Sequence, residues 1–210
     1  MLLSLGISGA SAKQKSSKLG LLKLIEKVSK TTGNKFLYAD RPTGDYRLYG
    51  IKINKENGMR VLGQILDEHG YTLLKRKDYF QVLHTRDIRY QDLEEVRVNK
   101  SKAPGVELPY SYRLTRYKMQ HPVVGRDIVR NLRPFMSRYG RIIFSKLTGE
   151  IWIVERQNQA AKLYQLIKDS DIKPSSDYLD KKQERREHRR NVELLQAKSC
   201  AESQNNNRKR

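Results

Sequence analysis

The chain has a single cysteine, Cys200, so no internal disulfide can staple the fold and no zinc site can be built from thiols. That thiol suits a reducing compartment and equally a secreted chain that needs no staple. The histidines are as sparse: His69, His84, His121 and His188 stand apart from one another and from carboxylates at ligand spacing, so no metal is expected. No apolar run approaches the roughly 20 residues that a membrane-spanning helix needs. No glycine-rich loop leads into a helix, and Thr31-Thr32-Gly33-Asn34 ends one, the wrong polarity for holding a phosphate. Asp67 and Glu68 are neighbours and point to different sides of their helix, a poor acid–base pair. No serine sits in a nucleophile elbow. With no catalytic residue, metal or cofactor motif in view, the chain reads as a binding or assembly protein and not as an enzyme.

Acidic residues are also scarce. Against 43 lysines and arginines stand 23 aspartates and glutamates, a formal charge of +20 and a pI near 10.0. Such a field favours an acidic partner: nucleic acid, an anionic membrane surface or an acidic protein face.

What is present falls into modules. Residues 1–18 read as a signal remnant and a disordered lead. Leu2–Ile7 would end an apolar region, and Ala10-Ser11-Ala12 matches a small-x-small cleavage site before Lys13. The basic front region is missing, so either the true start lies upstream or the N-terminus is simply apolar.

Residues 19–83 form a first module. Leu19, Leu22, Ile25 and Val28 recur at helical steps, with Leu21 and Leu24 widening the stripe, and Gly33 marks the stop. A short strand at Phe36–Tyr38 and turn chemistry at residues 41–45 follow. Tyr46, Leu48, Ile51 and Ile53 suggest a second strand, and Asn54 a cap for a helix burying Met59, Leu62, Ile65 and Leu66. His69 is expected to cap that helix, and a hairpin turning at Arg76-Lys77-Asp78 closes the unit.

Residues 84–111 read as a linker in which Val96 and Val98 offer a short edge strand. Residues 112–172 then follow the order β-α-β-β-α: a strand from Tyr112, a helix opened by Pro122 with Val124, Ile128, Leu132, Phe135 and Met136 inward and Pro134 kinking or shortening it, a hairpin through Leu147-Thr148-Gly149 and a helix burying Ala160, Ala161, Leu163, Leu166 and Ile167. Residues 173–210 are a charged tail, helical in part at KKQERREHRR and disordered at SQNNNRKR. The fold class is α+β: two small sandwich domains and a tail.

The first module resembles the first periplasmic domain of type II secretion secretins, shared with the signalling domain of TonB-dependent receptors. The resemblance rests on Leu22, Ile25, Thr32, Gly33, Asn34, Phe36 and Asp40, then on Leu62, Ile65, Leu66, Gly70 and Tyr71. The second module is similar to the small ring-forming domain that follows in secretins, through Leu132-Arg133-Pro134, Tyr139-Gly140-Arg141, the strand GEIWIVE and a last helix leading to Asp171-Ile172. Together they cover residues 19–172, about three quarters of the chain. The family's leading strand is absent or replaced by KQKSSK, and a charged tail stands where the secretin barrel would begin. The resemblance implies a periplasmic docking protein of a secretion or pilus apparatus, with machine proteins as partners and a homo-oligomer or ring as its assembly.

A different partner is suggested by the basic stretch of the second module. Arg113, Arg116, Lys118 and Arg126 fall there, as do Arg130, Arg133, Arg138 and Arg141, interleaved with Tyr110, Tyr112, Tyr117 and Tyr139. A basic face with exposed aromatics suits nucleic acid, and the element order is close to that of the KH fold. The Gly-x-x-Gly loop by which KH domains grip RNA does not occur in this second module, where Gly140 and Gly149 are separated by a strand.

Overall fold

The computed structural model describes residues 19–208, with 198–208 as backbone alone. The reading of residues 1–18 as a signal remnant therefore lies outside the described residues.

Two layered units are built on separate sheets. In the first, β1 (Leu19–Gly20) leads directly into α1 (Leu21–Thr32) and pairs with β3 (Asp45–Tyr46), Leu19 opposite Tyr46. The leading strand expected to be missing is thus supplied by Leu19 and Gly20. β2 (Phe36–Tyr38) runs parallel to β5 (Phe80–His84), which pairs antiparallel with β4 (Tyr71–Lys75). α2 (Gly58–Glu68) packs beside α1. The i, i+3, i+4, i+7 spacing of Leu21, Leu24, Ile25 and Val28 turns one face of α1 inward, onto Leu62 and Leu66 of α2.

The chain between β3 and α2 departs from expectation. No strand forms at Leu48–Ile53, whose pattern alternates poorly, and Asn54 does not cap the helix. Its side chain accepts from the N–H groups of Glu56 and Asn57, building a turn that delays α2 to Gly58.

The second sheet has the order β6-β7-β9-β8. β6 (Glu95–Asn99) runs parallel to β7 (Tyr112–Lys118), while β9 (Glu150–Arg156) pairs antiparallel with β7 and with β8 (Arg141–Ser145). The stretch read as a linker is therefore ordered: it holds a 3-10 turn at Thr85–Tyr90 and the edge strand β6. Val98 is buried and Val96 half-buried against the core, which the alternation of these β-branched residues makes possible.

α3 (Gly125–Leu132) and α4 (Gln157–Ser170) cover the same sheet face, burying Ile128, Leu132, Leu163 and Ile167 against Tyr117, Ile151 and Ile153. α3 stops at Leu132 because Pro134 has no N–H to donate to the carbonyl of Arg130, and a 3-10 turn at Arg133–Phe135 replaces the expected longer helix; Phe135, expected inside, is exposed, as is Leu166 of α4. The tail forms α5 (Ser176–Arg208), so the segment expected to be disordered from Ser203 to Arg208 continues a helix.

A third apolar cluster joins the two units: Leu74 from β4, Ile88 from the 3-10 turn and Tyr112 from β7 are all buried. Around it, the Ser111 hydroxyl donates to the carbonyl of Leu73 at 2.6 Å and that of Thr72 to the carbonyl of Tyr110 at 3.2 Å. The Arg156 guanidinium completes the joint on Asp67.

Candidate docking surfaces

Strand alternation sorts the basic residues of β7. Arg113, Thr115 and Tyr117 point to the helix-covered face, and Leu114, Arg116 and Lys118 to the other. Arg113 is consequently not on any surface: it is 4% exposed, and its Nη2 donates to the carbonyl of Gly105 at 2.6 Å. Burial pulls its pKa below the usual guanidinium value, against the pull of Glu94 and Glu107. Its expected role as a partner contact is corrected accordingly.

Arg116 lies on the open sheet face. It donates to Glu150 through Nε and Nη2, at 3.1 and 2.7 Å, and to Glu95 through Nη1 at 3.2 Å. Its guanidinium also stacks over Trp152, 5.1 Å from the ring centroid. The Glu150 hydrogen bond leads in raising its pKa. Lys118 is held by the carbonyl of Thr148, and Arg141 is exposed on β8 of the same face. Arg133 is exposed on the 3-10 turn, and Arg138 lies over the Tyr139 ring.

Arg126 and Arg130 are exposed on α3 and face α5. The expected single basic face therefore divides: one residue in the core, some on the sheet, some around the 3-10 turn and two on α3. The interleaved tyrosines do not form a stacking row. Tyr117 and Tyr112 are buried, with Tyr117 donating to Asp171 and Tyr112 in contact with Ser137.

Two buried carboxylates serve structure. Asp171 accepts from Tyr117 and from the backbone N–H groups of Gln120 and His121. Glu155 accepts from the N–H and hydroxyl of Ser137 and from the N–H of Arg156. His69 closes α2 with Nδ1 at 2.8 Å from the carbonyl of Ile65, while its Nε2 meets the carbonyl of Asp45. Among the described residues there is no cluster of three or more metal-ligating side chains, and no helix is long and apolar enough to cross a membrane.

The free sheet edges are legible in the geometry. β2 ends its sheet on one side and exposes Leu37 and Tyr38, whereas β4, at the other edge, lies against the joint. β8 ends the second sheet with Ile143 exposed.

No family model matches the sequence, and no curated protein matches it. Among solved structures it is similar to the Klebsiella pneumoniae type II secretion outer membrane complex of PulD, PulS and the PulC HR domain, with a TM-score of 0.59 and 16% identity. That match covers 75% of this chain and 26% of the other. The chain has the fold of secretin N-terminal domains. Other likenesses are to a mutant N-terminal domain of the secretin XcpQ from Pseudomonas aeruginosa (16% identity, 76% of this chain and 66% of that one, TM-score 0.30) and to the V. cholerae type IV competence pilus secretin PilQ (14%, 75% and 37%, TM-score 0.29). The chain thus spans less than two thirds of each of these three chains.

The α5 surface is what sequence reasoning missed. Lys181, Lys182, Arg185, Arg186, Arg189 and Arg190 were legible as blocks of mixed charge. The signal lies in their spacing: at about 3.6 residues per turn they fall on one half of the helix, with Asp180, Glu184 and Glu187 on the other.

Proposed function

We propose that this chain is a non-enzymatic, periplasmic docking protein of a secretion or pilus apparatus, working through protein–protein contacts. The observation that supports this most is the arrangement of the fold: two sheets of the secretin N-terminal type are joined through a buried seam, and each keeps a free edge. An edge strand can extend its sheet with a partner's strand, taking affinity from main-chain hydrogen bonds and specificity from side chains such as Leu37 and Tyr38. The second unit would meet like copies through β8 and Ile143, giving a closed ring if the rotation between copies closes. By analogy with PulD, which is seen with PulS and the PulC HR domain, the partners would be other components of the machine.

Nucleic acid binding is the weaker reading, because two of the four tyrosines it would use for stacking, Tyr112 and Tyr117, are in the core and the half-buried Tyr110 and Tyr139 form no row. Cell fractionation with sequencing of the mature N-terminus tests the proposal. A periplasmic protein beginning at Lys13, co-purifying with machine components, is the expected result; a cytoplasmic protein with Met1 intact overturns it.

A further inference from the structure

The first turns of α5 are clamped onto α3 by one carboxylate. Asp127 accepts from the Tyr178 hydroxyl and from the Lys182 ammonium, the latter at 2.9 Å, and Lys182 also donates to the carbonyl of Val123 at 2.6 Å. Burial works against ionisation of Asp127, yet the Tyr178 and Lys182 hydrogen bonds outweigh it and hold its pKa below the usual carboxylate value. The clamp sets the cationic half of α5 opposite α3, leaving a groove of about 990 Å³ between them.

Both walls of that groove carry the same charge. Arg126 and Arg130 line one side with Lys146 nearby, and Arg185, Arg186 and Arg189 line the other. The acids of the lining are Asp127, already engaged, and Glu193. Among the described residues, Arg126, Arg185, Arg186 and Arg189 have no ion-pair partner. Bringing unpaired cations together raises the energy of the empty groove, and an anionic occupant lowers it. The floor is different in kind: Pro122, Val123 and Phe144 make it apolar.

We infer that the groove between α3 and α5 binds an acidic, amphipathic segment of a partner protein, its carboxylates on the arginine walls and its apolar side chains on the floor. The chemistry favours a peptide over a nucleic acid. The one tyrosine of the groove, Tyr178, is occupied by Asp127 and by the Lys182 ammonium over its ring, and Phe144 is half-buried against the core, so the groove offers bases no row of free rings. The planar forks of the arginines match carboxylates as well as phosphates in bidentate fashion, so the choice of a peptide rests on the apolar floor beside them. The inference rests on the docking reading only in taking a protein as occupant, and it gives that reading a second surface, remote from the sheet edges.

The test is a fluorescence anisotropy titration of the full chain at near-physiological salt. The probe is a synthetic amphipathic helix with glutamates on one side and leucines on the other. Its glutamine-for-glutamate version, an all-glutamate peptide and a single-stranded oligothymidylate of equal charge serve as comparisons. The Glu/Leu peptide should bind more tightly than all three. The double variant Arg185→Glu, Arg189→Glu should weaken it about tenfold or more. Arg126→Glu, on the opposite wall, should weaken it independently and decides the matter if the double variant loses helix by circular dichroism. Tighter binding of the oligothymidylate, equal binding of the all-glutamate peptide, or indifference to reversal of both walls overturns the inference. Because the titration needs neither the compartment nor the sheet edges, its outcome is separate from that of the fractionation.

Discussion

Arg156, the last residue of β9, donates from Nη1 to Oδ2 of Asp67 near the end of α2, at 2.5 Å across 89 residues of sequence. The side chains are 28% and 17% exposed, so the pair is partly desolvated. Burial is the largest influence on Asp67 and raises its pKa above the usual value, with Arg156 pulling it down less strongly. The pair therefore orients the two units more than it stabilises them.

That balance gives a pH dependence with a definite sign. A carboxylate whose folded pKa lies above its unfolded value favours folding when protonated. Its contribution is present below the unfolded pKa and is lost as pH rises through the folded one. Urea unfolding should show Asp67→Asn losing under about 1 kcal/mol at neutral pH, while Arg156→Leu, which strands a half-buried anion, loses about 2 kcal/mol or more. The natural protein should gain on Asp67→Asn between about pH 7 and about pH 4. A difference that shrinks on acidification would refute this.

Gly140 leaves room for a buried carboxylate. A Cβ there would stand 2.1 Å from Oε2 of Glu155, and that side chain is fixed by Ser137 and Arg156. Gly140→Ala should cost about 2–4 kcal/mol in thermal or denaturant unfolding, through overpacking and lost hydrogen bonds. Gly105→Ala, which meets no atom within 4 Å, is the matched control and should change little.

Gly44 has φ of 136° and would place a Cβ 2.3 Å from the ring of His69. Gly44→Ala combines backbone strain with a clash against the residue that closes α2, and about 1–3 kcal/mol of destabilisation is expected. Hydrogen exchange should locate the damage at β1, β3 and the end of α2; a loss spread evenly over both units would contradict the local explanation.

Asp171 satisfies the Tyr117 hydroxyl and two backbone N–H groups with a carboxylate that is fully buried. Asp171→Ala should lower stability by about 2–4 kcal/mol, because those donors would lose their acceptor inside the fold. Tyr117→Phe removes one donor and leaves the carboxylate two, so its cost should be smaller, about 1 kcal/mol. Comparable losses in the two variants would remove Asp171 from its central place.

Leu37→Asp places a charge on the exposed edge strand β2, where Leu37 is 53% exposed. Stability should change by less than about 0.5 kcal/mol, since the site is on the surface. Recovery of machine components in an affinity purification should fall sharply. Unchanged recovery would move the docking surface away from β2.

Much of this architecture could be read from local pattern. The stripe Leu19, Leu22, Ile25, Val28 announces α1, although Leu21 and Leu24, which only widen it, are buried in place of Leu19 and Leu22; the alternation of Ile151 and Ile153 announces β9, and Pro134 announces the end of α3. The element order then carries the likeness to secretin N-terminal domains. The basic residues were a different matter. On β7 the identities of Arg113 and Arg116 are the same, and the pleat alone sends one into the core and the other onto Trp152.

The sequence by itself determined helices, hairpin and element order, because periodicity, turn residues and proline act within a few neighbours. Only the tertiary structure decided which charges meet. Asp67 finds Arg156, Asp171 gathers the turn after β7, β6 leaves the apparent linker to join the second sheet, and Asp127 draws α5 onto α3. These pairings lie far apart in the chain, so no local pattern encodes them. They arise where packing brings carboxylates, amides and cations into partly dry contact, and there a missing partner costs more than in water.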